Sequence, residues 1–134
     1  MDHKVPFALF SGSLADKSAA ENLGRTEFLG RELTAAGIEW TPVLGAYKGV
    51  KEQSFLALLP QGDDSHDFDA VLRLAKTYGQ ESILYVDAQR LASLHYMADD
   101  ADVEFVGQFG EAAEADALAQ DGYTFFAGHY YTVA

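Results

Sequence analysis

Apolar positions divide the chain into short extended segments and two longer segments with helical spacing. A short apolar run at residues 5–10 ends in a Ser-Gly-Ser turn, which is typical of a strand. Helix formers fill residues 18–36, where Leu29 and Leu33 are four residues apart and Gly37 follows at the usual capping position. The pattern predicts a strand followed by an amphipathic helix.

The next part of the chain has the pattern of a hairpin followed by a second helix. Residues 38–47 look extended, residues 48–49 can form a tight turn, and residues 52–59 are apolar and β-like. Ser65 is suited to cap a helix with an acidic first turn, and the apolar stripe of that helix ends near residue 78.

The remaining residues predict mainly strands. Residues 81–86, 91–97 and 103–109 form extended segments separated by polar turns, as in an antiparallel meander. Residues 111–120 are rich in alanine and acidic residues, which predicts a short exposed helix. Residues 123–133 are aromatic and β-like, with one glycine interrupting them.

This order of elements, β-α-β-β-α-β-β-β-(α)-β, predicts an α+β fold. Strands that follow one another in hairpin-like groups favour a mostly antiparallel sheet over a regularly alternating parallel one. We therefore expect a two-layer sandwich with the two main helices on one face. No linker divides the chain, so residues 1–134 are expected to form a single domain.

Composition indicates a folded chain outside the membrane. Nearly half of the residues are apolar and cysteine is absent, so no disulfide framework is expected and a reducing cytoplasm is favoured. The longest apolar run, residues 55–60, is far shorter than the roughly 20 residues that span a bilayer. The first residues do not have the pattern of a signal peptide.

The net charge of −12 is concentrated in the second half of the chain. Residues 1–62 carry six basic and seven acidic residues, whereas residues 63–134 carry three and fourteen. A negative potential of this size repels nucleic acid and anionic lipid and favours a basic protein partner, or it simply keeps the protein soluble. The acidic interaction surface that we predict consists of Asp63, Asp64, Asp67, Asp69, Asp99, Asp100, Asp102, Glu104, Glu111, Glu114 and Asp116.

Motifs that would indicate a particular catalytic chemistry are absent from the sequence. It contains no G-x-x-x-x-G-K-[ST] or G-x-G-x-x-G phosphate loop and no G-x-S-x-G nucleophile elbow. The four histidines are far apart and none lies at metal-ligand spacing from another. We therefore predict no metal, no cofactor and no catalytic residues.

One polar cluster stands out on the first helix. Asn22 and Arg25 extend the same stripe that the apolar residues turn towards the core, so both need polar partners. Glu52 is the candidate partner, and Tyr47 and Ser54 lie beside it in the hairpin. Two interpretations remain open: an ion pair that docks the helix on the hairpin, or a small polar pocket in which binding is favoured over catalysis.

Three motifs together resemble those of a family of short, functionally uncharacterised bacteriophage and bacterial proteins. The similarity covers about residues 7–87 and implies a small phage-type or accessory protein in the host cytoplasm, with no activity or cofactor attached. The motifs are N-x2-R-x3-L-x3-L-x3-G at residues 22–37, G-x-Y-x-G-x2-E-x-S-F at residues 45–55, and Y-G-Q-E-S at residues 78–82.

These observations favour a non-enzymatic interaction protein. One form of this hypothesis is a phage-encoded inhibitor, or an acidic protein that mimics nucleic acid and binds a basic host surface. The first alternative is a protein or enzyme that binds a small anionic ligand through Arg25 and Glu52. The second alternative is a virion or structural accessory protein.

Overall fold

Eight antiparallel strands close into a barrel in the computed structural model, which describes residues 5–98 and 102–134. Around the barrel the order is β1, β3, β2, β7, β8, β6, β5 and β4, and β4 pairs with β1 to complete the circle. The strands are β1 Phe7–Phe10, β2 Trp40–Tyr47, β3 Val50–Leu58, β4 Ser82–Val86, β5 Leu91–Tyr96, β6 Val103–Ala112, β7 Gly122–Phe126 and β8 His129–Val133.

Both long helices begin after a serine cap, and the cap at Ser65 is the one that the sequence predicts. Ser18 forms a capping box with Glu21, and the Ser65 side chain accepts a hydrogen bond from the Phe68 amide. These bonds satisfy backbone donors that a helix start otherwise leaves unpaired. The helical segments are α1 Ala19–Ala35, α2 His66–Thr77, α3 Glu114–Leu118 and a 3-10 turn at Gly62–Asp64.

The barrel wall separates two apolar cores. Successive side chains of a strand point to opposite faces, so Phe7 and Leu9 of β1 fill the barrel while Ala8 and Phe10 pack outside it. This is why all four residues of β1 are buried.

The outer core is where α1 and α2 cover the barrel. Leu29 and Leu33 of α1 and Val71 of α2 are completely buried there against Phe55 of β3. Burying a leucine of this kind contributes roughly 1.5–3 kcal/mol, so this stripe suffices to attach α1 to the wall.

The predicted two-layer α+β sandwich is wrong, because the sheet has no open edge. Closure depends on the pairing of β4 with β1 and on that of β2 with β7, where Leu44 pairs with Phe125, and both join segments that are far apart in the chain. Alternating apolar residues reveal which face of a strand is buried but not which distant strand is its neighbour.

The C-terminal elements also differ from the prediction. β6 extends to Ala112, so the predicted helix at residues 111–120 shrinks to α3. Residues 123–133 form the hairpin of β7 and β8 rather than one strand. Ala127 and Gly128 both have positive φ at its turn, as a tight two-residue hairpin connection requires. Within the described part of the chain, no helix is long and apolar enough to cross a membrane.

Candidate functional site

A cavity of about 720 Å³ opens at one end of the barrel. The cavity lies beside the C-terminal end of β2 and the N-terminal ends of β4 and β7. The segments that follow β1 and α2 form part of its rim. Its volume falls within the range of roughly 300–1,000 Å³ that holds small-molecule ligands. The barrel therefore offers a concave site instead of a completely filled interior.

The deep part of the cavity is apolar. Leu9, Leu84, Leu94, Phe109 and Val133 line it from five different strands. Phe109 also stacks on the ring of Tyr131 at a centroid distance of 5.5 Å. An aromatic and aliphatic floor of this kind favours the burial of flat or apolar parts of a ligand.

Towards the rim, the inward positions of β3 change from apolar to polar. Leu56 belongs to the inner core, and the next inward positions are Ser54 and Glu52, both half-buried in the cavity lining. Opposite Glu52, strand β2 has Gly45. A Cβ atom on Gly45 would lie 2.6 Å from Ser54 Oγ, so the missing side chain keeps this part of the cavity open.

The loop between β1 and α1 forms one wall of the cavity. Asn22 binds Leu14 twice: its Oδ1 accepts from the Leu14 amide at 2.9 Å, and its Nδ2 donates to the Leu14 carbonyl at 3.0 Å. Arg25 Nε donates to the Gly12 carbonyl at 2.7 Å. Two side chains of α1 thus hold the backbone of this loop in place.

A second wall segment follows α2 and is tied to the first. Arg25 also donates through Nη2 to the carbonyl of Tyr78, and its guanidinium lies 5.2 Å from the centre of the Tyr78 ring. Gln80 Nε2 donates to the Ser13 carbonyl at 3.1 Å. Burial raises the pKa of Tyr78 to about 12, so its neutral hydroxyl donates to Glu32 at 2.8 Å.

The structure divides the predicted cluster into three residues that line the cavity and two that lie behind one of its walls. Glu52, Ser54 and Tyr47 line it, with Tyr47 at the rim, 62% exposed and beneath the Lys48 ammonium at 5.3 Å. Asn22 and Arg25 stand behind the loop. Arg25 binds two backbone carbonyls rather than Glu52, which leaves the Glu52 carboxylate facing the cavity.

Several lining residues were absent from the predicted site. The segment 11–15 and Gln80 both contact the cavity. Each lies in a motif that was visible in the sequence: the segment begins with the Ser-Gly-Ser turn after the first strand, and Gln80 belongs to the Y-G-Q-E-S motif. Tyr131 carried no such signal, because its position depends on the closure of the barrel. Burial raises the pKa of Tyr131 above that of an ordinary tyrosine.

The predicted acidic surface spreads over separate elements. Asp63 and Asp64 lie in the 3-10 turn, and Asp67 and Asp69 lie in the first turn of α2. Asp102 precedes β6, Glu104 lies near the start of that strand and Glu111 near its end, and Glu114 and Asp116 lie in the first turn of α3. Asp99 and Asp100 lie outside the described residues. A role of this surface in binding a basic partner stays a prediction.

Some of these acidic residues have local partners. Glu104 accepts a hydrogen bond from the Tyr96 hydroxyl at 3.0 Å, and Glu111 lies 3.4 Å from Nδ1 of the exposed His129. Within residues 5–98 and 102–134, no group of three His, Cys, Asp or Glu side chains is arranged to hold a metal ion.

Fold and site together define a small antiparallel barrel with a ligand cavity at its mouth. The model of the S-adenosylmethionine lyase family matches residues 8–134, which include all three α-helices named above and the whole cavity lining. The chain belongs to the S-adenosylmethionine lyase family. Among curated proteins, no significant match was found.

Family membership corrects the functional predictions made from the sequence. Lyases are enzymes, so the prediction of a non-enzymatic interaction protein or inhibitor is wrong, and so is the expectation that the protein is not an enzyme. The alternative of an enzyme that uses the polar cluster fits better. The resemblance correctly indicated membership of a family, although the match shows neither a bacteriophage source nor the three-motif pattern.

Proposed function

We propose that this protein is a lyase that cleaves S-adenosylmethionine in the cavity at the barrel mouth. The observation that carries the proposal is Glu52, a carboxylate that faces the cavity from an inward position of a barrel strand. The family match supports the substrate and the class of reaction.

The chemistry of the cavity suits the chemistry of this substrate. S-adenosylmethionine joins a flat adenosine to an amino acid through a positively charged sulfonium. The apolar floor suits the adenine ring, and the Glu52 carboxylate attracts the cation. The net charge of −12 adds a long-range field that favours approach of a cation.

A lyase breaks a carbon–sulfur bond of this substrate without water and without an oxidant. Both electrons of the bond go to sulfur, which becomes a neutral thioether. The carbon then either accepts an electron pair from the substrate's own carboxylate, which closes a ring, or the neighbouring carbon loses a proton, which gives an alkene. Only the second path needs a base. Two glutamates line the cavity, the half-buried Glu52 and the exposed Glu81, and Glu52 is the candidate for that base because it lies deeper in the cavity wall.

Charge changes during this reaction define what Glu52 contributes. The sulfonium loses its charge as the bond breaks, so a carboxylate beside it binds substrate more tightly than either the transition state or the thioether product. Through this contact Glu52 promotes substrate capture and product release. In the ring-closing path, its removal therefore raises KM without lowering kcat.

The test is turnover of S-adenosylmethionine by the purified protein, followed by chromatography and by NMR. Ring closure and alkene formation give amino-acid products of the same formula, so vinyl proton signals distinguish them. Glu52→Gln is expected to raise KM by about 10- to 100-fold, which corresponds to about 1.4–2.7 kcal/mol of lost attraction at a half-exposed site. A change mainly in kcat, with an alkene product, would assign the base role to Glu52 instead.

Glu39→Gln is the matched control, because Glu39 is exposed and lies outside the cavity lining. Its kinetic constants are expected to stay within twofold of those of the wild-type protein. If the folded wild-type protein neither binds nor consumes S-adenosylmethionine, the proposed function is wrong.

Three further points belong to this proposal. The absence of cysteine supports a cytoplasmic location. The motifs within residues 7–87 support a relationship to short bacteriophage proteins. A basic protein partner is supported by the excess of acidic residues after residue 62. Binding to such a partner would weaken steeply as salt rises.

A further inference from the structure

We propose that Arg25 and Asn22 are positioning residues that set the shape of the cavity wall without touching the substrate. The inference rests on the proposed function only in so far as it concerns kinetics. Its structural basis is the hydrogen bonding behind the two wall segments, residues 11–15 and 79–82.

Arg25 joins two parts of the wall that are remote in sequence. One guanidinium donates to Gly12, at the start of the first segment, and to Tyr78, immediately before the second. The planar guanidinium donates in fixed directions, so both carbonyls are held relative to each other. A lysine at this position carries a compact ammonium on a flexible stem, so it would not hold the two carbonyls in fixed directions.

Asn22 fixes the same loop two residues further along the chain, at Leu14. Its amide group pairs with both the N–H and the carbonyl of Leu14, and the Leu14 side chain lies against the cavity and Gly79. Gln80 completes the connection through Ser13. Side chains of α1 and of the segment after α2 therefore hold the first wall segment and tie it to the second, whose last residue, Ser82, is paired with Tyr96 in the sheet.

The attachment of α1 to the barrel does not depend on these two residues. Leu29 and Leu33, one and two turns beyond Arg25, are completely buried in the outer core. Removing Arg25 is therefore expected to loosen the two wall segments while the helix stays docked. A looser wall weakens binding of substrate and transition state alike, which raises KM with little change in kcat.

The test combines kinetics with amide hydrogen exchange on Arg25→Met and Arg25→Lys. Arg31→Met is the control, because Arg31 is an exposed residue of the same helix whose guanidinium lies 5.9 Å from the Phe28 ring, away from the cavity. We expect KM to rise about tenfold in Arg25→Met and about threefold in Arg25→Lys, with kcat changed less than twofold. Arg31→Met should match the wild-type protein.

Exchange at the Leu14 amide reports the wall directly. It is expected to accelerate at least fivefold in Arg25→Met while the amide of Ala57, in the barrel wall, is unchanged. Asn22→Asp, which can still accept from Leu14 but cannot donate to it, should accelerate the same amide to a smaller extent. Equal acceleration in loop and strand would indicate global destabilisation and would overturn the inference, as would a KM equal to that of the control.

The two proposals fail in different ways. If the wild-type protein has no activity on S-adenosylmethionine, the proposed function fails and the exchange measurement alone decides the role of Arg25. If the wild-type protein is active but the Arg25 variants keep its KM, only the positioning inference fails.

Discussion

Two glycines of helix α1 provide a matched pair for testing how closely the helix packs on the barrel. A Cβ atom on Gly24 would meet nothing within 4 Å. A Cβ atom on Gly30 would lie 2.8 Å from Cζ2 of Trp40 and 3.4 Å from Cε1 of Phe55. The same substitution, glycine to alanine, is thus made once in open space and once in a tight contact.

The magnitudes follow from two opposing effects. Alanine in a helix interior is favoured over glycine by about 1 kcal/mol, so Gly24→Ala should stabilise the protein by about that amount. Overpacking at Gly30 costs about 1–3 kcal/mol. Trp40 has little freedom to move away, because its Nε1 donates to Thr34 at 3.0 Å and its ring packs edge-on against Phe55 at 4.9 Å.

Gly30→Ala should therefore lower the free energy of unfolding by up to about 2 kcal/mol, whereas Gly24→Ala raises it. Urea denaturation measures both values, and thermal unfolding should separate the two variants by about 3–10 °C at this chain length. If Gly30→Ala stabilises the protein as much as Gly24→Ala, the close contact between α1 and Trp40 does not exist and the docking of this helix must be revised.

Two other features lead to predictions that concern pH and cavity shape. Burial lowers the pKa of His95 below 6.5. The unfolded chain therefore binds a proton at this histidine more readily than the folded protein does. As a result, the free energy of unfolding should fall as the pH drops below about 6.5 towards the lowered pKa. Urea titrations at pH 7.5 and 5.5 should show a smaller loss for His95→Gln, and equal losses would contradict the assignment. Gly45→Ala should push Ser54 into the cavity and raise KM for S-adenosylmethionine about three- to tenfold, while Gly110→Ala, with open space around its Cβ, should leave KM unchanged.

Local chemistry explains the elements that were predicted correctly. Ser18 and Ser65 start the two long helices because their side chains satisfy amides of the first turn, a contact confined to four residues. Strand positions were likewise recognisable from short apolar runs bounded by turns. Such signals act within a few residues and need no knowledge of the rest of the chain.

The direction of Glu52 shows where local reasoning stops. Phe55 packs under the helices, and Glu52, three residues earlier on the same strand, must face the opposite side. The alternation was visible in the sequence, but both faces of β3 carry apolar residues, so the face covered by helices was ambiguous. Only the fold decides that Glu52 faces a cavity and that Arg25 binds backbone carbonyls.

The sequence by itself determined the two long helices, most of the strands, the unequal distribution of charge and a polar set of which three residues line the cavity. The tertiary structure decided that the sheet closes, through the pairing of β2 with β7 and of β4 with β1. Those pairings are backbone hydrogen bonds between distant segments, and side-chain patterns do not encode them individually. The cavity exists because of this closure, which is why the candidate site could be assembled only from the folded barrel.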